Sequence, residues 1–234
     1  MKTKKIILGI VGLAAVIVIA GLALYRPVIR PWQQRWGASD AEVRMALPGD
    51  EIVAGLAWQA TRAVDIQVPA AQVWPWLVQM GQGRGGLYSY DWLENLVGCD
   101  IHTLDAIDPA LQDLKVGDPI KIGRQKGLPY YQVVLLEPEK ALLLRSVDPT
   151  TGAMGETWGF YLIEKGNGLT RLIVRHRTPP SQDSTAQIVN AVFEPISFFM
   201  EHRMLYGIRD HAQKPTRSRT SASITARTSE AIRS

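Results

Sequence analysis

Four histidines and a single cysteine, Cys99, bound the acid–base, metal and nucleophilic chemistry open to this chain of 234 residues. One cysteine allows neither an intrachain disulfide nor a cysteine-rich zinc site. His102 stands among Asp100, Asp105 and Asp108, a grouping with the makings of an acid–base pair or a cation site. Those acids do not follow the order of an EF-hand loop, and a solvated acidic loop is the plainer reading. His202 and His211 fall on opposite faces of a helical pattern and cannot share one metal. Neither a Gly-x-Ser-x-Gly elbow nor a His-Glu-x-x-His pair is present. Gly81, Gly83 and Gly86 match Gly-x-Gly-x-x-Gly, but a dinucleotide site needs that pattern after a strand and opening a helix. Here it follows a helical pattern, with no parallel βαβ unit around it, and reads as a flexible loop at a cavity mouth. No cofactor, no metal and no catalytic residue is expected from these motifs.

The aromatic residues carry more information. Trp158, Phe160 and Leu162 alternate onto one face of a strand pattern, and Leu172, Val174 and His176 share a face of the next. Tyr88, Tyr90 and Trp92 flank the glycine loop. Phe193 and Met200 are two helical turns apart near the C-terminus. Ordinary core packing accounts for Leu162, Leu172 and Val174. The polar tips of tyrosine and histidine need partners when buried, which favours the lining of a cavity. The candidate ligand-binding set is therefore Tyr88, Tyr90, Trp92, Trp158, Phe160, His176, Phe193 and Met200.

The elements that must position these residues follow from hydrophobic periodicity. Residues 1–5 are a basic N-terminus, and residues 6–25 are an uncharged, mostly aliphatic run. At helical rise that run spans about 30 Å, the thickness of a bilayer's hydrocarbon core. It reads as a transmembrane helix flanked by lysines before and Arg26 and Arg30 after. The rival is a signal peptide cut after Ala23. The lysine-rich end favours N-inside, with the domain outside the cytoplasm. Residues 26–60 read as a connector. Residues 62–68 alternate as a half-buried strand. Two short helices are expected after Pro69 and over 91–97. Strands are expected over 119–122, 130–136, 141–147, 157–164 and 170–177, antiparallel because their connections are short. Residues 184–212 read as one long helix, kinked at Pro195, with Val189, Phe193, Ile196, Met200, Met204 and Ile208 along its inner face.

The formal charge of +4 is concentrated in the tail, where Lys214, Arg217, Arg219, Arg227 and Arg233 face Glu230 alone. The rest of the chain is near neutral, so no nucleic acid is expected as a partner. Residues 213–234 hold too few apolar residues to pack and are expected to be a disordered basic tail.

Several words of this sequence are similar to those of a known superfamily. They are Val73-Trp-Pro-Trp-Leu-Val-Gln-Met-Gly81, Gly86-Leu-Tyr-Ser-Tyr-Asp-Trp-Leu-Glu-Asn95, Lys115-Val-Gly-Asp118, Thr157-Trp-Gly-Phe160, Thr170-Arg-Leu172 and Met204-Leu-Tyr-Gly-Ile208. With the element order, they resemble the SRPBCC superfamily of START lipid-transfer domains, birch-pollen-allergen-like proteins and polyketide cyclases, above all its small bacterial members. The resemblance spans about 36–212. It implies an α+β helix-grip fold over 61–212, a curved antiparallel sheet around a long C-terminal helix, with a hydrophobic cavity between them. It transfers no catalytic residue. The expected function is membrane-anchored binding of a lipid or other hydrophobic small molecule, with the membrane as the second partner. The rival is a polyketide cyclase-like enzyme using a cavity histidine, His176 or His102, with a carboxylate. A cavity-facing His176 within hydrogen-bond reach of Glu156 or another acid would favour the enzyme. A filled core would favour a structural or adaptor role.

Overall fold

A computed structural model describes residue 21, residues 24–53 and residues 55–214; for 184–192 only the backbone is described. Most of the expected membrane span and nearly all of the expected tail lie outside the described residues. No helix among the described residues is long and apolar enough to cross a membrane.

Six strands form one antiparallel sheet. They are β1 Trp58–Ile66, β2 Pro119–Lys121, β3 Tyr130–Glu137, β4 Ala141–Val147, β5 Met154–Gly166 and β6 Leu169–Thr178, in spatial order β1-β6-β5-β4-β3-β2. The strands from β3 to β6 are consecutive hairpins, as short turn-rich connections dictate. β1 closes the far edge against β6, with Ile66 opposite Thr170 and Trp58 opposite Thr178. The helices are α1 Arg30–Gln34, α2 Asp40–Arg44, α3 Ala70–Val78, α4 Asp91–Leu96 and α5 Ser184–Gln213. A π-helical turn, Tyr25–Ile29, leads into α1. A six-stranded antiparallel sheet with a long C-terminal helix is the helix-grip arrangement that the sequence led us to expect.

One face of the sheet makes the main core with α3 and the C-terminal half of α5. Phe160, Leu172, Val174, Leu142 and Leu144 meet Val73 and Leu77 of α3 and Met204, Leu205 and Ile208 of α5. The opposite face is also covered. Ala63, Ala141, Tyr161 and Ile173 pack there with Leu47.

That second layer changes the reading of 26–60 as a connector. The segment carries α1 and α2, and Ser39 and Glu42 cap α2 reciprocally. Arg171 binds Glu42 at 2.8 Å, and Arg175 binds Asp50 at 2.7 Å and the carbonyl of Met45 at 2.8 Å. Charged strand residues are thus buried against this segment. β1 accordingly starts at Trp58 rather than at 62, and its central residues are buried on both faces.

α5 continues through Pro195. Of the expected inner face, Met204 and Ile208 are buried and Ile196 and Met200 border a cleft, whereas Phe193 points to solvent. Phe198, Glu201, Leu205 and Ala212 are buried as well. The reason lies in coverage. The C-terminal half of α5 lies on α3 and the sheet, whereas residues 194–199 meet α1 and the loop before α4.

Candidate functional site

A cleft of about 210 Å³ opens between α5, the sheet and α4. Leu87, Ile122, Ile196, Met200 and Met204 supply its apolar wall, and Tyr131 and Trp158 its aromatic one. Three titratable side chains join them: Glu94 from α4, His176 from β6 and Glu201 from α5.

The β5–β6 register places Trp158 opposite His176. Their rings stack at 5.3 Å with planes 21° apart. Nε2 of His176 lies 2.6 Å from Oε2 of Glu201. The same carboxylate accepts from Nη1 of Arg62 at 2.9 Å, and Nε of Arg62 donates to the carbonyl of Gln33 at 2.8 Å. Burial alone would raise the Glu201 carboxyl, but the charges of His176 and Arg62 outweigh it and hold the group below its ordinary range.

Glu94 is driven the other way. Burial, with Asp91 adding repulsion, pushes it up to about 7. Its Oε2 is buried with no hydrogen-bond partner among the described residues. The hydroxyl of Tyr131 donates to Glu156 at 2.5 Å, and Thr178 donates to the other oxygen of that carboxylate at 3.1 Å. Burial, then the charge of Glu156, holds the Tyr131 phenol well above its ordinary value.

Of the residues singled out by sequence, Trp158, His176 and Met200 line the cleft together. Phe160 is fully buried behind Trp158, their rings 4.9 Å apart, and belongs to the core. Tyr88 is also core, its hydroxyl donating to the carbonyl of Trp76 at 2.9 Å. Tyr90 stacks on Phe199 at 4.7 Å, outside the cleft wall. Trp92 and Phe193 are exposed and do not line the cleft. Reasoning from sequence missed Glu94, Tyr131 and Glu201. Glu201, a carboxylate between Met200 and Met204 on the apolar side of a long helix, was the available signal.

The other motifs settle into structural roles. His102 is exposed and bonds Asp100 at 3.1 Å, while Asp105 pairs with Lys214 at 3.1 Å. No group of three or more histidine, cysteine or acidic residues able to hold a metal occurs among the described residues. The glycine loop is a closed turn: the amide of Gly81 donates to the carbonyl of Gly86 at 2.8 Å. Gly86 has φ +81°, and a Cβ there would meet Cα of Thr103 at 2.6 Å. Arg84 is tied to the carbonyls of Val78 and Leu111, at 3.0 and 2.9 Å.

No family model and no curated protein matches this chain. Among solved structures, it is similar to the Aha1 dimer from Colwellia psychrerythraea, with 16% identity, 62% of this chain and 93% of that one covered, and a TM-score of 0.37. It is similar to DynU16, a putative protein of the dynemicin biosynthetic locus, with 17% identity, 63% and 46% covered, and a TM-score of 0.36. It is also similar to PFC0360w, an HSP90 activator from Plasmodium falciparum, with 10% identity, 64% and 94% covered, and a TM-score of 0.39. Likeness at this level assigns neither family nor function. Fold and site together describe a helix-grip domain with a small, mostly apolar cleft and an ionic pair in its wall.

Proposed function

We propose that this protein binds a small hydrophobic molecule bearing one polar group, in the cleft beneath α5, while residues 6–25 anchor it in a membrane. The observation that carries the reading is the make-up of the wall. Apolar and aromatic side chains dominate it, with a few convergent polar groups to orient a guest, as in small-molecule sites generally. Its volume, about 210 Å³, favours a compact ligand over a long acyl chain. Native mass spectrometry of gently purified full-length protein tests the reading. A retained small molecule that is lost on Met200→Trp, which fills the cleft from its edge, supports it. Identical spectra for both proteins, with no apolar probe taken up by the parent, would refute it.

A second reading is favoured by one contact, the 2.6 Å approach of His176 to Glu201. A histidine oriented by a buried carboxylate is suited to proton transfer. Glu94, with a proton to give near neutral pH, would be its acidic counterpart across the cleft. On this reading the chain is a cyclase- or dehydratase-like enzyme. His176→Gln would then abolish turnover of a bound compound while leaving its retention unchanged. Loss of retention and turnover together would leave binding as the role of His176.

A further inference from the structure

We propose that the rim of the cleft is a lipid-docking surface, whose apolar side chains seat in the headgroup layer so that the ligand enters from the bilayer. The proposal rests on the reading of residues 6–25 as an anchor. Nine of the fourteen exposed large apolar side chains among the described residues lie on or directly beside three elements, the helical segment running through α1, α4 and α5. Val28 and Trp32, at the entry to α1 and within it, are 57% and 53% exposed. Phe193 and Phe199 on α5 are 56% and 48% exposed, and Trp92 and Leu96 on α4 are 64% and 73% exposed.

Direct contacts join these elements. Trp32 meets Phe198 of α5 at 5.3 Å between ring centres, and Arg30 binds Glu194 at 3.0 Å. On the other side Phe199 stacks on Tyr90, the residue that precedes α4. Between them lies the cleft, which takes Ile196 and Met200 from α5 and Glu94 from α4. The apolar belt and the cleft mouth therefore share one end of the molecule.

The chain itself names what covers the belt. Its uncharged run ends at Tyr25, where the helical turn leading into α1 begins. Trp32 follows about 10 Å further at helical rise. If the run is embedded, Trp32 and the part of α5 that it touches are held beside the bilayer surface. Aromatic residues prefer that depth, and an exposed apolar belt is disfavoured in water. A lipid surface is thus the occupant that the attachment point delivers.

The test uses the full chain, with Cys99→Ser, reconstituted into phosphatidylcholine vesicles. Leu96→Cys, Phe199→Cys and Lys165→Cys are each labelled with a fluorophore sensitive to polarity. Lys165 lies by the β5–β6 turn and serves as the water-exposed control. Nitroxide-bearing lipids should quench the labels at 96 and 199 several-fold more than the label at 165. Equal quenching at the three sites, in protein that floats with the vesicles, overturns the docking proposal and leaves the anchor intact. Protein that does not float overturns the anchor and the proposal with it. Labels that are shielded but not quenched by lipid, together with a doubled particle mass, would assign the belt to a second copy and overturn the proposal. All three positions are exposed, so the substitutions leave the core unchanged.

Discussion

Glu94 and Glu201 face one cleft and are displaced in opposite directions. For Glu94 the sign follows from linkage. Its carboxyl titrates at about 7 in the fold against 4.5 in the unfolded chain, so between those values the folded state holds more protons. Stability therefore falls as pH rises from 4.5 towards 7, by about 3 kcal/mol at most, and levels off above. Glu94→Gln should flatten that slope in urea melts taken from pH 4.5 to 8, and an unchanged slope would clear Glu94. Arg62 poses the complementary test. It is 1% exposed and shares Glu201 with His176, so Arg62→Ala removes one of the two cationic partners of a buried carboxylate and should cost about 3 kcal/mol. His176 was legible because strand alternation put it on the face of Trp158. Its partner was not. Glu156 shares the strand face of Trp158 and was the natural choice, yet it is taken by Tyr131 and Thr178. Glu201 reaches His176 from a helix, and the rotation of that helix is a tertiary fact.

At the scale of elements, the hairpins were readable, since β4 has the expected bounds and β3, β5 and β6 differ only at their ends. Alternation and turn residues suffice when neighbours in sequence are neighbours in space. The layer formed by 36–53 was not readable, because arginines hold it. Arg171 and Arg175 look solvent-facing by composition but carry the contacts that fasten that layer. The packing of α5 against the loop after α3 supplies a further test. A Cβ on Gly207 would meet the carbonyl oxygen of Tyr88 at 2.1 Å. Gly207→Ala gains about 1 kcal/mol of helix propensity, yet should destabilise by roughly 1–3 kcal/mol overall, as a shift in the urea midpoint. A rise in the midpoint would mean that the Tyr88 loop withdraws freely.

For the whole molecule, Glu194 is the point where the N-terminal helical segment is fastened to the domain. It accepts from Arg30 at 3.0 Å, from Gln34 at 3.3 Å and from the indole of Trp58 at 2.8 Å. Glu194→Ala should loosen that segment without unfolding the sheet. Trypsin should then cleave after Arg35, the arginine of that segment not followed by proline, several-fold faster while the melting temperature of the domain barely moves. Unchanged cleavage would assign the fastening to Trp32 and Phe198.

The edge position of β1 also bears on how the chain is made. β1 pairs only with β6, so Ile66 waits for Thr170, about a hundred residues later. At ribosomal rates of roughly 5–20 residues per second, the strand stays unpaired for about 5–20 seconds. The hairpins from β3 to β6 have no such delay, because each strand follows its partner directly. The sheet should thus assemble from its C-terminal hairpins and seal last at its N-terminal edge. Until then the ladder groups of β1 stand open to any strand that passes, and the nascent chain is at its most prone to mispairing.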